Sequence, residues 1–260
     1  MPLDPSSALL TDRVAIVTGA AVGIGEAVAG ALARFGAHVG ICDRDVPNLD
    51  GTADAVEAVG RRVVAAELDV RDEEASTAFV ERVAGELGPI DILVNNAGGG
   101  FFADFLGVNA KGQDSLIREN FGSVTNFVRP TVSLMPDRGG SIVNLTSIEA
   151  HRAAPGFAVY SAMKAAVASL TKTLALELGP RRIRVNCVAP DVIPTPGVGP
   201  MEVHTPLPLG GEADDVAAAV VFLAGDLARF VTGTTVHVDG GNLAAGGWHR
   251  RADDSYTTHA

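Results

Sequence analysis

The chain has 260 residues, of which 47% are hydrophobic and 20% charged, enough to bury the core of one large α/β domain. Its formal net charge of −11 argues against a nucleic-acid partner, because phosphate backbones repel an acidic surface. No apolar run approaches the about 18 residues of a membrane span, and the first residues lack the pattern of a signal peptide.

The two cysteines and six histidines are spread along the chain. Cys42 and Cys187 each end an apolar run, which predicts buried reduced thiols in a cytoplasmic protein rather than a disulfide framework. The histidines show no pair at metal-ligand spacing, so we expect no metal site.

Short apolar segments rich in Val and Ile alternate with longer segments of helical period. The predicted strands are residues 14–18, 37–42, 63–68, 92–94, 141–146, 184–188 and 235–238. The predicted helices are residues 23–35, 49–59, 72–87, 114–135, 158–178 and 212–226. Strands that are apolar on both faces are typical of parallel sheets. The alternation therefore predicts an α/β fold, with one parallel sheet between two helical layers in a single domain over 1–260.

Two segments lack a regular pattern. Residues 190–211 contain six prolines and several glycines, which predicts a loop long enough to act as a substrate lid. Residues 243–260 become polar and charged, and we expect this tail to be loose at its end.

Residues 18–25 join the first predicted strand to the first helix and contain Gly19, Gly23 and Gly25. Glycines in this context permit a tight turn and let the backbone approach a pyrophosphate at the helix N-terminus. Their spacing is GxxxGxG rather than the common GxGxxG. The loop by itself is therefore as compatible with a plain turn as with a dinucleotide site.

Asp43 ends the second predicted strand and favours the dinucleotide interpretation. A carboxylate there can accept hydrogen bonds from the adenosine ribose and repel a 2′-phosphate, which favours NAD over NADP. Arg44 follows directly and would weaken that preference. The alternative is a solvated Asp in a turn.

Polar and small residues also follow the third and fourth strands. Asp69 and the segment Asn95-Asn96-Ala97-Gly98 lie where parallel sheets bind ligands, at the carboxyl edge. The small residues leave room for a cofactor, and the amides can tie neighbouring backbone together. Taken alone, this segment fits any turn.

Tyr160 and Lys164 are spaced i and i+4 in a helical segment of Ala, Val, Met and Ser, which places both on one face. The alternative without a function is a solvent-exposed Tyr–Lys pair. Lysine is rare in apolar surroundings, however, which favours a functional role. A nearby ammonium favours the phenolate, and a pKa of about 7 would require about 4 kcal/mol, with help from an oxidised nicotinamide ring. Tyr160 would then exchange a proton with an alcohol or ketone as hydride moves.

Ser147 and Asn120 are weaker candidates. Ser147 follows the fifth strand, 13 residues before Tyr160, and its hydroxyl could hold the substrate oxygen or merely cap a turn. Asn120 is polar within a helix, where it could bond a backbone carbonyl, order a water or simply be exposed.

These motifs together resemble the short-chain dehydrogenase/reductase family over nearly the whole chain. The resemblance rests on T-G-x-x-x-G-I-G at 18–25, N-N-A-G at 95–98, and Ser147 with the Y-x-x-x-K of Tyr160 and Lys164. The segments RVNCVAP at 184–190 and VTGTTVHVDGG at 231–241 are similar to later parts of the family.

The resemblance implies a Rossmann-like doubly wound parallel sheet, an NAD(P) cofactor and a homotetramer or homodimer. It implies a tetrad of Asn120, Ser147, Tyr160 and Lys164, with Lys164 bonding the nicotinamide ribose. Together with the loop and strand ends, it predicts a set of cofactor-binding residues: Gly19, Gly23, Ile24, Gly25, Asp43, Arg44, Asp69, Val70, Asn96, Ala97, Gly98, Tyr160, Lys164, Pro190, Val192 and Thr195.

Three departures from the family pattern stand out. Asp191 follows Pro190 where the family usually has Gly, which puts the cofactor contacts of Val192 and Thr195 in doubt. The lid is shorter than usual, and the chain continues well beyond Gly241 through Trp248. The tail of a neighbouring subunit could cover the site, or the tail is loose.

We expect an NAD-dependent enzyme that interconverts a secondary alcohol and a ketone, with an apolar substrate such as a steroid, terpene or acyl derivative. The candidate substrate pocket consists of Phe101, Phe102, Phe105, Ile148, His151 and Phe157. One alternative is an NADPH-dependent ketoreductase similar to 3-oxoacyl-carrier-protein reductases, against which Ala20, Ala21 and Asp43 argue. A second is a non-catalytic dinucleotide sensor, against which the retained Tyr160 and Lys164 argue.

Overall fold

The computed structural model describes residues 4–196, 205–251 and 253–258. Seven strands form one parallel sheet in the order β3-β2-β1-β4-β5-β6-β7. They are β1 Val14–Thr18, β2 His38–Asp43, β3 Val63–Glu67, β4 Ile92–Asn95, β5 Gly140–Leu145, β6 Ile183–Pro190 and β7 Thr235–Val238. The order reverses between β1 and β4, so this is the doubly wound, Rossmann-like single-domain fold that the sequence predicts.

In the described part of the chain, seven α-helices of eight or more residues and one of four residues accompany these strands. They are α1 Gly23–Arg34, α2 Val46–Ala58, α3 Glu73–Leu87, α4 Ala110–Ile117, α5 Ser123–Leu134, α6 Ala158–Glu177, α7 Ala213–Ala224 and α8 Asn242–Ala245. Residues of α1, α2 and α7 share one buried core, and residues of α3, α5 and α6 share the other. In β1, Ala15 and Val17 join the first core while Val14 and Ile16 join the second, because successive strand residues face opposite sides.

Two predicted helices differ from the observed ones. The predicted helix 49–59 begins earlier, at Val46, because the Asp45 side chain accepts a hydrogen bond from the Asn48 backbone N–H and caps it. The predicted helix 114–135 is wrong as one unit. It consists of α4, a π-helical turn at Arg118–Gly122 and α5, and the π turn contains Asn120.

The two irregular segments are only partly as expected. Residues 191–196 and 205–211 contain no helix or strand, whereas 197–204 of the predicted lid lie outside the described residues. The C-terminal segment contains α8 and a small antiparallel pair, β8 (His249–Arg250) with β9 (Tyr256–Thr257), and residues 259–260 at its end lie outside the described residues.

Cys42 and Cys187 are free and buried, and burial raises the pKa of both thiols. In the part of the chain that the structure describes, no helix is both long and apolar enough to cross a membrane.

Candidate active site

The carboxyl ends of β1, β2, β4, β5 and β6 open onto one cleft of about 330 Å³. Most of the predicted cofactor residues line it: Gly19, Gly23, Ile24, Gly25, Asp43, Arg44, Val70, Asn96, Ala97, Gly98, Tyr160, Lys164, Pro190 and Thr195. Asp69 and Val192 are not part of this lining, and Val192 instead lines a separate cavity of about 340 Å³ with Asp191 and His237.

The glycine loop has the close approaches that a dinucleotide cradle needs. Gly19 and Gly23 have φ of 66° and 67°, in the left-handed region that favours glycine. A Cβ on Gly25 would lie 1.9 Å from the Gly19 carbonyl oxygen. The N-cap residue of α1, Val22, has no side-chain cap, which leaves the first N–H groups of the helix available to an anion. The loop therefore fits a pyrophosphate group.

Asn96 ties the end of β4 to this loop. Its side-chain Nδ2 donates to the carbonyl oxygens of Thr18 (3.0 Å) and Gly19 (2.8 Å). In return, the Thr18 hydroxyl accepts from the backbone N–H groups of Asn96 (3.1 Å) and Ala97 (3.0 Å). The amide thus holds two neighbouring segments together, as the sequence suggests for N-N-A-G.

The carboxylate of Asp43 accepts only backbone donors at the end of β2. The N–H groups of Ala21 (3.1 Å), Arg44 (2.7 Å) and Asp45 (3.1 Å) all donate to it. These bonds orient the carboxylate at the cleft and link it to the glycine loop.

Asp69 is instead engaged by a neighbouring arginine. Arg71 Nε lies 2.9 and 3.0 Å from the two carboxylate oxygens, Arg71 Nη2 makes a further contact, and the Arg71 backbone N–H donates at 3.0 Å. These hydrogen bonds lower the pKa of Asp69 to about 2. Its oxygens are therefore already shared with a cation.

Glu119 is a cleft residue that the sequence analysis missed. Its carboxylate lies 3.7 Å from Arg44 Nη2, and Arg44 Nη1 lies 3.9 Å from Asp69. The signal in the sequence that could have identified Glu119 is its position directly before Asn120. A regular helix, however, would place the Glu119 side chain on the surface. The π turn brings it to the cleft.

Lys164 is fully buried at the other end of the cleft. Its Nζ donates to the Leu145 carbonyl oxygen at 2.9 Å and lies 5.6 Å from the centroid of the Tyr160 ring. Burial lowers the pKa of Lys164 to about 8. The lysine thus has an anchored ammonium next to the phenol.

Ser147 interacts through its side chain with the Tyr160 phenol. The Ser147 Oγ also accepts from the Glu149 backbone N–H at 3.2 Å. Burial raises the pKa of Tyr160, the Ser147 side chain opposes this rise, and the Glu149 carboxylate adds to it. The sequence analysis expected Lys164 to help lower this pKa. In the protein alone the net direction is upward, because desolvation of the phenolate dominates.

Asn120 is buried in the π turn, and its side chain makes hydrogen bonds with backbone groups. Its Nδ2 donates to the carbonyl oxygens of Gly99 (2.8 Å) and Leu116 (3.0 Å), and its Oδ1 accepts from the Gly99 N–H (3.1 Å). A Cβ on Gly98 would lie 2.8 Å from Asn120 Oδ1 and 3.1 Å from Lys164 Nζ. Asn120, Gly98 and Lys164 therefore meet at one point.

The predicted substrate residues are divided between the interior and the surface. Phe157 packs edge-on against Tyr160 (centroids 6.2 Å) and Phe102 (5.7 Å), and Ile148 is buried. Phe102 is 75% exposed, and Phe101 and Phe105 are exposed as well. His151 stacks edge-on with His237 at 4.8 Å. An apolar, solvent-open wall thus borders the phenol.

Asp191, directly after β6, is held by contacts of its side chain. Its carboxylate is 6% exposed, accepts a hydrogen bond from Asn242 Nδ2 at 2.6 Å and lies 3.8 Å from Arg152 Nη2. Among the described residues, no group of three or more His, Cys, Asp or Glu side chains is placed to hold a metal ion.

Comparison with known proteins finds a family profile described as enoyl-(acyl carrier protein) reductase over residues 19–242. A 3-oxoacyl-acyl-carrier-protein reductase of Thermotoga maritima is 38% identical, covering 89% of this chain and 98% of that protein. The cyclohexanol dehydrogenase of a Rhodococcus species is 34% identical, with 89% and 96% covered. Carveol dehydrogenase from Mycobacterium avium, solved in complex with NAD, is 33% identical with a TM-score of 0.87, and the match covers 90% of this chain and 99% of that one.

Proposed function

The chain belongs to the short-chain dehydrogenase/reductase family of oxidoreductases, and we propose that it interconverts an apolar secondary alcohol and the corresponding ketone with NAD. The observation that carries this proposal is Tyr160 next to buried Lys164, with Ser147 acting on the phenol, at the end of a glycine-lined cleft. Two relatives, a cyclohexanol dehydrogenase and a carveol dehydrogenase, are named for cyclic secondary alcohols.

The cofactor residues would divide into two groups. The loop of Gly19, Gly23 and Gly25 would bind the pyrophosphate through backbone N–H groups at the start of α1. Asp43 would accept hydrogen bonds from the adenosine ribose, and its charge would disfavour a 2′-phosphate. When bound, the cofactor supplies hydride transfer and, in its oxidised form, a positive ring.

Tyr160 would exchange the proton. In alcohol oxidation the phenolate accepts the hydroxyl proton while a hydride leaves the carbon that bears the hydroxyl. The reverse reaction returns the proton and the hydride. Ser147 would hold the substrate oxygen beside the phenol, and Lys164 would stabilise the phenolate and bond the ribose. Because burial raises the pKa of Tyr160, the phenolate would also need the positive ring of the oxidised cofactor.

The apolar wall supports the proposed substrate class. Phe157 contacts both Tyr160 and the exposed Phe102 ring, so an apolar substrate would cover aromatic surface on reaching the phenol. Such burial contributes about 25 cal/mol per Å² of apolar area, which favours hydrophobic alcohols over hydrophilic ones.

The test compares the parent chain with Tyr160→Phe on a panel of apolar secondary alcohols, with NAD and NADP side by side. We expect turnover by the parent with NAD, and a loss of about 10²- to 10⁴-fold in the variant with NAD binding retained. Absence of turnover by the parent across the panel, with NAD still bound, would favour a dinucleotide sensor.

A second candidate function is an NADPH-dependent 3-oxoacyl reductase. It is supported by the Thermotoga maritima relative and by Arg44, a cation that lines the cleft beside Asp43 and would pair with a 2′-phosphate in place of Glu119 and Asp69. A clear preference for NADPH and for 3-oxoacyl thioesters would decide for it.

The family resemblance supports a homotetramer or homodimer. Leu176, Phe222 and Phe230 are exposed apolar side chains available to such contacts. Light scattering of the purified chain would measure its mass directly, and a monomer would contradict this part of the proposal.

A further inference from the structure

A line of polar contacts connects the Ser147 turn to the C-terminal segment. The Glu149 backbone N–H donates to Ser147 Oγ, and the Glu149 carboxylate pairs with Arg152 Nη2 at 2.8 Å. The same Nη2 lies 3.8 Å from an oxygen of Asp191. The other Asp191 oxygen accepts from Asn242 Nδ2 at 2.6 Å. Three segments distant in sequence, around residues 147–152, 191 and 242, therefore meet beside the phenol.

Asp191 is the unusual member of this line. It stands where the family usually has Gly, which would offer Arg152 and Asn242 no partner. A buried carboxylate is costly unless it is paired and hydrogen-bonded, and Asn242 and Arg152 supply both. Its own N–H donates to the Val238 carbonyl oxygen at 3.1 Å, which holds the backbone against β7. Asp191 is therefore anchored on both its backbone and its side chain.

Glu149 is the charge in this line that opposes the proposed chemistry. Its carboxylate raises the pKa of Tyr160, in addition to the rise from burial, because a negative charge disfavours the phenolate. Among the described residues, the other titratable groups near the phenol are Lys164 on α6 and, packed towards Lys164, the Glu119 carboxyl from the π turn and the Cys187 thiol from β6.

Arg152 is the cation facing Glu149. The hydrogen bond and charge of Glu149, then the charges of Asp191 and Asp239, raise the pKa of Arg152, so the guanidinium stays protonated. A cation held at 2.8 Å from Glu149 opposes the field of its carboxylate at the phenol.

We propose that Arg152 and Asp191 are positioning residues: Arg152 neutralises Glu149 beside Tyr160, and Asp191, bonded to Asn242, keeps Arg152 in place. This rests on the proposed function, in which Tyr160 exchanges the substrate proton. It assigns Asp191, at the position of the family's usual Gly, a role in setting the pH at which the phenolate forms.

The kinetic test uses the pH dependence of kcat/KM for alcohol oxidation. Arg152→Met exposes the charge of Glu149, and we expect the midpoint to rise by about 0.5 to 1 pH unit. Glu149→Gln removes that charge and lowers the midpoint, and the double variant, which removes both charges, should return close to the parent value. Asp191→Asn retains an acceptor for Asn242 but loses the charge facing Arg152, so it should give a smaller upward shift.

Arg82→Met is the matched control, because Arg82 and Glu86 form an exposed pair at 2.8 Å on α3, away from the phenol. We expect no shift of the midpoint in this variant. An unchanged midpoint in both Arg152→Met and Glu149→Gln, or an equal shift in Arg82→Met, would overturn the proposal. Should Arg152→Met not fold, the downward shift in Glu149→Gln still decides.

A second readout needs no turnover. The chain has two tyrosines, so in a Tyr256→Phe background the ultraviolet absorbance of the phenolate reports on Tyr160 alone. The same upward and downward shifts are expected in that titration, with folding checked by the fluorescence of Trp248, the one tryptophan. Shifts in the titration without any alcohol turnover would support the positioning role and contradict the proposed function. Turnover without these shifts would do the reverse.

Discussion

The two ends of the cleft differ in the physical effect that dominates, which is backbone geometry at one end and the shifted pKa values of side chains at the other. At the glycine-loop end, backbone geometry dominates and acidic groups already have partners: Asp43 accepts three backbone N–H groups, and Asp69 is paired with Arg71. At the other end, half-buried Tyr160 and buried Lys164 have pKa values that shift in opposite directions, upward for the phenol and downward for the ammonium. Backbone geometry therefore shapes the glycine-loop end, whereas at the Tyr160 end the surroundings set the protonation of side chains. Substitutions at the two ends should therefore affect binding and turnover separately.

Gly25→Ala should have the largest effect on binding. The new Cβ would lie 1.9 Å from the Gly19 carbonyl oxygen and 2.5 Å from Asn96 Nδ2, so the loop must shift. We expect NAD affinity, measured by calorimetry, to fall on the order of 100-fold or more, equivalent to about 2.7 kcal/mol. Gly51→Ala is the control: its Cβ meets nothing within 4 Å in α2, and we expect unchanged binding and a gain of about 0.4–1 kcal/mol in stability. Unchanged NAD affinity in Gly25→Ala would contradict the view that backbone geometry shapes the glycine-loop end.

Lys164→Met should mainly reduce turnover. The substitution keeps most of the side-chain volume but removes the ammonium beside Tyr160 and the donor to the Leu145 carbonyl oxygen. We expect kcat/KM to fall by about 100-fold, with a smaller loss of NAD affinity. Lys172→Met changes an exposed lysine of the same helix and should have little effect on either quantity. Equal losses in kcat/KM and NAD affinity for Lys164→Met would remove the distinction between the two ends.

Asp43→Asn should change which cofactor is preferred. Removing the negative charge relieves repulsion of a 2′-phosphate, and Arg44 remains beside it. We expect the ratio of kcat/KM for NAD to that for NADP to fall by about 10-fold. The exposed Asp50→Asn in α2 tests for a general effect of charge and should leave the ratio unchanged. A ratio unaffected by Asp43→Asn would contradict the role proposed for Asp43.

Arg71→Met should have the smallest effect, visible in stability against pH. The folded pKa of Asp69 is about 2, below its ordinary value of 3.8, so its contribution is complete above the ordinary value and disappears as pH falls towards 2. Loss of Arg71 should lower the free energy of unfolding at neutral pH by no more than about 1 kcal/mol, as for a partly exposed pair, and the resulting Tm difference should vanish near pH 2. A constant Tm difference from pH 6 to pH 2 would disprove this linkage.

Much of the fold could be predicted because its signals are local. Apolar strands in alternation with helices identify a parallel sheet, and the confirmed family resemblance rests on short motifs such as residues 18–25 and the Tyr160–Lys164 spacing. The limits were also physical. A helical period does not reveal a π turn, so neither the burial of Asn120 nor the position of Glu119 in the cleft could be predicted.

The sequence by itself determined the sheet, its carboxyl edge and the types of chemical group collected there, since these follow from periodicity and spacing along the chain. Only the tertiary structure decided which groups neutralise one another. Asn120 meets Gly99 across 21 residues, and Asp191 meets Asn242 across 51. Such partners are selected by packing, and burial then sets the pKa of Tyr160, which no local pattern encodes.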